Sequence, residues 1–295
     1  MIDEELNEEI DFTQEIWKRT ISARIKEATY AHLKSVSDSG FRTHLGASVI
    51  GHPCLRSVYY HFRWFKRDDH DGRAEGIFQD GHNFEAEMRR ILSQMGAQFL
   101  DKSEDGKQLK FSAIGGHFGG SVDGIFIWPA MGITEPMLLE CKSSKTGAPF
   151  SDLEKKQVML AKNQHYIQNN IYMKAFNLKN ALYICKNKND WDLYTEIIEL
   201  DNSVASDNYR KAELVILDNE FLPSRIRDKR NFFVCNMCNY QSICFDGEAP
   251  VPNCRNCKHS NAVEDAQFRC NKWDSIIPDE DAILAGCPHH TMRPY

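Results

Sequence analysis

The chain has 295 residues, 42% of them hydrophobic, and a formal net charge of -6, which allows one large buried core or two modest ones. It contains no stretch of about 18 uncharged apolar residues, and its start, MIDEELNEEIDF, is acidic where a signal peptide is basic and then apolar. Membrane insertion and export are therefore not expected, cytoplasmic residence is, and the negative charge argues against a general cationic coat for nucleic acid while leaving room for a local basic groove.

Ile10, Ile16, Trp17, Ile21, Ile25, Ala28 and Leu33 recur at roughly helical spacing, which predicts an N-terminal helical segment over 3–37. Gly51, His52 and Pro53 break the pattern. Two helices should follow, from about Cys54 to Phe65 and from about Ala74 to Met95, the second stopped by Gly96. The period then changes. Runs 108–113, 119–128 and 136–144 alternate or are continuously apolar between glycines and prolines, as strands do. A long helix from about Leu153 to Phe176 is predicted next, then strands in ALYICK and DLYTEIIEL, then a helix for which Asp201 is a plausible N-cap. This order reads as α/β, a mixed central sheet flanked by helices.

The segment SVDGIFIW places Asp123 on one strand, and LLECKSS places Glu140 and Lys142 two apart on the next. Residues i and i+2 of a strand share a face, so Glu140 and Lys142 project together while Cys141 turns away. Adjacent strands would bring Asp123 onto the same face. Two neighbouring carboxylates suit a hard cation such as magnesium or manganese, and a lysine beside them can orient an attacking water. A lone Glu-x-Lys is more often a surface ion pair; what raises this one is its company. GHNFEAEM offers His82 as a further ligand with Glu85 one turn on, and QHYIQNNIYMKAF puts Gln168 and Tyr172 at i and i+4 on one helical face.

The ordered set of Gly-His, Asp, Glu-x-Lys and Gln-x-x-x-Tyr resembles the RecB-type branch of the PD-(D/E)xK nuclease superfamily, over about residues 45–245. The resemblance implies a restriction-endonuclease-like core in which His82, Asp123, Glu140 and the backbone carbonyl of Cys141 bind Mg2+ or Mn2+. It implies that Asp123, Glu140 and Lys142 are catalytic and that Gln168 and Tyr172 contact DNA. Val122 stands where the superfamily's name has proline, a departure many members share.

Ten cysteines in a chain expected to stay reduced point to metal or redox use. Cys235, Cys238 and Cys244 need a fourth ligand, and Cys54, at the start of a helix ahead of the core, is the candidate. The same four thiols suit zinc; the resemblance to iron-sulfur members of the family implies instead a four-iron cluster. Cys254, Cys257, Cys270 and Cys287 suit a second, closed Zn2+ site, in which His259, His289 or His290 could replace one cysteine. Beyond Phe232 apolar runs are few, so metal rather than a hydrophobic core is expected to order the tail. Arg56 and the run Tyr59, Tyr60, Phe62, Trp64 and Phe65 invite a DNA-contacting reading, although such an aromatic run on a helix is more often buried core. Cys141 and Cys185 read as core residues.

Three regions are expected: a helical segment over 1–50, a nuclease core over 51–247 closed by the Cys54 set, and a zinc-binding module over 248–295. The resemblance further implies an exonuclease acting on DNA that is single-stranded or has a free end, in recombination, repair or replication. That includes a phage enzyme working in the bacterial cytosol beside a recombination or replication protein. The rival reading is a catalytically silent DNA-end or protein-binding module on the same fold.

Overall fold

A computed structural model describes residues 12–37, 42–66, 70–100 and 108–295, and gives no side-chain detail for 12, 13 and 15. Ile10 and residues 3–11 of the predicted first helix lie outside the described residues. The chain divides into two compact units, one of Met1–Gly40 with Asp69–His82, the other of Phe41–Asp68 with Asn83–Tyr295. The smaller unit holds α1 (Phe12–Ser35) and the first half of α4 (Gly72–Gln94). Ile16, Trp17 and Ile25 are exposed on α1. No helix among the described residues is long and apolar enough to cross a membrane.

The larger unit carries β1 (Leu45–Gly46), α2 (Ala47–Ile50), α3 (Leu55–Phe62), β2 (Gln98–Phe99), β3 (Lys110–Ala113), β4 (Phe118–Ser121), β5 (Gly124–Trp128) and β6 (Ile133–Ser144). It continues with α5 (Ala148–Ala161), α6 (Asn163–Ala175), β7 (Asn180–Asn187), β8 (Leu193–Glu199) and α7 (Asn202–Leu217). Five strands form the main sheet in the order β2-β5-β6-β7-β8. Every pair is antiparallel except β6 and β7, which run parallel and are joined through α5 and α6, as a parallel pair requires a crossover. This is the mixed α/β sheet flanked by helices expected from the order of elements.

The two faces of the sheet bury different sets. Leu138, Tyr183 and Cys185 pack with Ile171 of α6 in one cluster. Leu139, Cys141 and Ile184 pack with Phe84, Met88 and Leu92 of α4 in the other. Strand alternation thus sends Glu140 and Lys142 toward the α6 side and Cys141 toward α4.

Three expectations change. Residues 119–128 are two strands, not one: β4 pairs with β1 and β3 in a small sheet, whereas β5 pairs with β2 and β6. Val122 and Asp123 fall in the break, so Asp123 stands between strands. The predicted helix from Leu153 to Phe176 is also two, because Lys162 leaves helical geometry (φ -138, ψ 56) and Gln157 turns to φ 60. There the Val158 N–H donates to Glu196 at 2.8 Å instead of continuing the helical ladder. Tyr59, Tyr60, Phe62, Trp64 and Phe65, by contrast, are all at most 2% exposed, so the run is core, the favoured reading of the sequence, and offers no stacking surface.

The tail, finally, is ordered by packing against the body of the unit. It contains α8 (Phe233–Asn236), α9 (Gln241–Phe245), β9 (Ser260–Ala262), β10 (Phe268–Cys270), β11 (Ser275–Ile277) and α10 (Glu280–Ala285), the three strands forming one antiparallel sheet. Its Tyr240, Ile243, Phe268 and Ile283 are part of the main buried cluster. Arg255 and Arg293 are each 1% exposed and donate to carbonyls of the body of the unit, Arg255 to Arg42 and Thr43, Arg293 to Asn219. Sparse apolar residues misled here because a few large ones and two guanidinium groups do the packing.

Candidate active site

Asp123 is set by its neighbours on both sides. The Val122 N–H donates to the Leu109 carbonyl at 3.1 Å, and Gln108 donates to the Val122 carbonyl at 2.6 Å. Arg89 of α4 donates to the Asp123 carbonyl at 2.8 Å and lies 4.7 Å from the ring of Phe99. Gly124 permits this crowding, since a Cβ there would sit 2.6 Å from Phe99 Cε1. The Asp123 carboxylate then turns to β6, where its Oδ2 accepts the Cys141 N–H at 2.8 Å.

Glu140, on β6, is fully buried and ion-paired through Oε1 with Lys142. Its Oε2 is buried with no hydrogen-bond partner. Burial raises the Glu140 pKa, and the charges of Asp123 and Glu85 add to it against the opposing pull of Lys142. For Lys142, burial disfavours the ammonium, but the carboxylates of Glu140, Asp123 and Glu85 outweigh it and hold the pKa above the ordinary lysine value. The lysine side chain keeps 26% exposure. Three carboxylates thus bear on one partly open lysine.

Helix α6 covers this face. Gln168 Nε2 donates to Tyr172 Oη at 3.3 Å, and both residues are buried. The Tyr172 hydroxyl is kept protonated by burial and then by the nearby charge of Glu140. Gly120 on β4 lets the ring in, because a Cβ there would lie 2.7 Å from Tyr172 Oη. His82 lies on α4 as the last residue of the smaller unit, whereas Glu85, Asp123, Glu140 and Lys142 belong to the larger.

Sequence reasoning missed His165 and Tyr183. His165 Nδ1 and Tyr183 Oη are hydrogen-bonded at 2.8 Å, and Tyr183 is the register partner of Glu140. Burial lowers the His165 pKa to about 3, with Lys142 and Lys162 adding to the effect, so the ring is neutral. Its spacing of three residues before Gln168 was the available signal; the β6–β7 register was not readable from either strand alone.

The fold gathers eight of the ten cysteines into two pockets. Cys54, the N-cap residue of α3, lines one with Cys235, Cys238 and Cys244. Arg56 stands beside this set, its Nε donating to the Pro223 carbonyl at 2.7 Å. Cys254, Cys257, Cys270 and Cys287 line the other. Among the described residues no group of three or more His, Cys, Asp or Glu side chains is closed into a metal-holding arrangement as it stands. The donors nevertheless suit metals: four thiols in each pocket, and beside Asp123 a buried carboxylate oxygen that nothing else satisfies.

Neither a protein-family model nor any curated protein matches the sequence. Among solved structures, the chain is similar to SSO0001, with 15% identity over 77% of this chain and 96% of that one at a TM-score of 0.40. It is similar to LHK-Exo in complex with dAMP, with 13% identity over 64% and 90% at a TM-score of 0.42. It is likewise similar to the alkaline exonuclease LHK-Exo from Laribacter hongkongensis, with 14% identity over 64% and 90% at a TM-score of 0.41. Likenesses at this level leave the functional assignment to the site itself.

Proposed function

We propose that this chain is a divalent-metal-dependent deoxyribonuclease that hydrolyses phosphodiester bonds at DNA ends. The observation that carries the reading is the buried Glu140, with Oε2 unpartnered, set beside Asp123 and Lys142 under Gln168 and Tyr172. A carboxylate so buried is costly unless a cation or proton compensates it. Asp123 and Glu140, with the Cys141 carbonyl, would hold Mg2+ or Mn2+. When bound, the ion polarises the phosphate and lowers the pKa of its water.

The remaining work falls to the side chains. Lys142, kept cationic by the surrounding carboxylates, orients the attacking water and offsets charge developing on the phosphate oxygens. Gln168 and the protonated Tyr172 hydroxyl, hydrogen-bonded to each other, donate to the phosphate backbone of the strand. Neutral His165, fixed by Tyr183, bounds the same face without adding charge. In this reading Cys54, Cys235, Cys238 and Cys244 hold a four-iron cluster that ties α3 to α8 and α9. The substrate is DNA that is single-stranded or has a free end, in cytosolic recombination, repair or replication.

Degradation of end-labelled single- and double-stranded DNA by anaerobically purified protein tests the reading. Cutting should require Mg2+ or Mn2+ and fall about 100-fold or more in Lys142→Ala, the scale of losing one charge-stabilising group. A folded, metal-loaded protein that binds DNA ends without cutting them would establish the silent-module alternative instead.

A further inference from the structure

We infer that the C-terminal tail contains a structural zinc site made of four thiolates, Cys254, Cys257, Cys270 and Cys287, which locks Arg255 into the body of the protein. The inference is independent of the nuclease reading. The first two ligands come from a tight turn, Cys254–Asn256, whose geometry is set by a reciprocal cap. Asn253 Oδ1 accepts the N–H groups of Arg255 and Asn256, and Asn256 Oδ1 accepts the Asn253 N–H at 3.0 Å. The Cys257 N–H then closes onto the Cys254 carbonyl at 3.2 Å. Such a turn presents two thiols to one point. Cys270 ends β10, and Cys287 follows Gly286, which takes φ 61 after α10. All four line one cavity of about 20 Å3, room for about a single ion or water.

The three histidines of the pocket have other engagements. His259 Nε2 pairs with Thr291 Oγ1 at 3.3 Å, His290 Nε2 with Asn256 Oδ1 at 2.9 Å, and His289 packs edge-on against Trp273. His290 therefore braces the turn that bears the first thiols.

The turn carries Arg255 between the first two ligands. Its guanidinium lies 4.5, 4.4 and 4.8 Å from the rings of Phe62, Trp64 and Phe268, and Nη1 donates to the carbonyls of Arg42 and Thr43. A buried guanidinium stacked on rings and hydrogen-bonded to carbonyls depends closely on the geometry of those partners. Fixing both flanking thiols on one ion fixes that geometry.

Elemental analysis of the full chain tests the site. One zinc per chain is expected in the wild type and in Cys54→Ser, and its loss in Cys270→Ser and Cys287→Ser. Cobalt substitution reads the ligand set: a four-thiolate spectrum should survive His259→Ala and His289→Ala and weaken in Cys287→Ser. Absence of zinc from folded wild type, iron in its place, or a spectrum that depends on His259 or His289 but not on Cys287 would each overturn the assignment. Because these readouts need no DNA, a failed nuclease assay would leave them unaffected.

Discussion

His117 is fully buried, with Nε2 set 2.8 Å from the Val263 carbonyl and 3.0 Å from that of Gln267, both in the tail. Two carbonyls on one nitrogen require its proton there, so the ring is the neutral Nε2–H form, with Nδ1 buried and unpartnered. Burial lowers its pKa to about 4. Below about pH 6.5 the unfolded chain takes up a proton that the folded chain refuses until about pH 4, so stability falls as pH drops through that window. The loss approaches about 1.4 kcal/mol per pH unit inside it, and His165, lowered to about 3, adds in the same direction. Urea unfolding at pH 7 and pH 5 should show the drop, and His117→Gln should remove part of it. An unchanged pH dependence in that variant would mean that His117 does not carry it. At the active site, Gly120→Ala is the corresponding residue-scale test: the added Cβ must displace Tyr172. Cleavage should fall by about 100-fold, as for a misplacement of order 1 Å, with little change in the circular dichroism of the fold. Unaltered cleavage would detach Tyr172 from substrate.

At the scale of elements, what was legible followed local rules. The Asp201 cap, the alternation in β6 and the turn from helical to strand period all depend on neighbours close in sequence. Asp201 does cap α7, its Oδ1 accepting from Ser203 at 2.9 Å and Val204 at 3.1 Å. Asp201→Ala should cost about 1 kcal/mol in a denaturant titration, and more if the hydrogen bond from its N–H to Asn170 of α6 also loosens. The pairing of Glu140 with Lys142 was readable for the same reason. What escaped was set by distant partners. The break at Val122 and Asp123 exists because β4 and β5 belong to different sheets, and the kink near Gln157 answers to Glu196 on β8. Arg89 reaches the Asp123 carbonyl from a helix 34 residues away. A periodic pattern continues straight through such breaks, because both halves still bury an apolar face.

Across the whole molecule, the tail and the body share one core, so removing one exposes the other. A chain ending at Gly247 would strip Arg255 and Phe268 from Phe62, Trp64 and His117, and Arg293 from the carbonyl of Asn219. It would also leave Arg63, whose Nη2 donates to the carbonyls of Val215 and Ile216 near the end of α7, at a newly wetted face. Losing two large aromatic contacts and several hydrogen bonds of about 1 kcal/mol each consumes much of the roughly 5–15 kcal/mol that separates a folded domain from its unfolded state. The truncated chain is therefore expected to bind a hydrophobic dye, lose its near-ultraviolet circular dichroism and unfold without a sharp transition. The same chain folding cooperatively, with near-native stability, would mean that the buried arginines and Phe268 add little and that the tail is an appendage. Zinc removal from the intact protein should fall between these limits, since the turn loses its ion while Arg255 keeps its rings and carbonyls. An intermediate thermal midpoint, lower than the loaded protein and higher than the truncated one, is the expected result of calorimetry on the three forms.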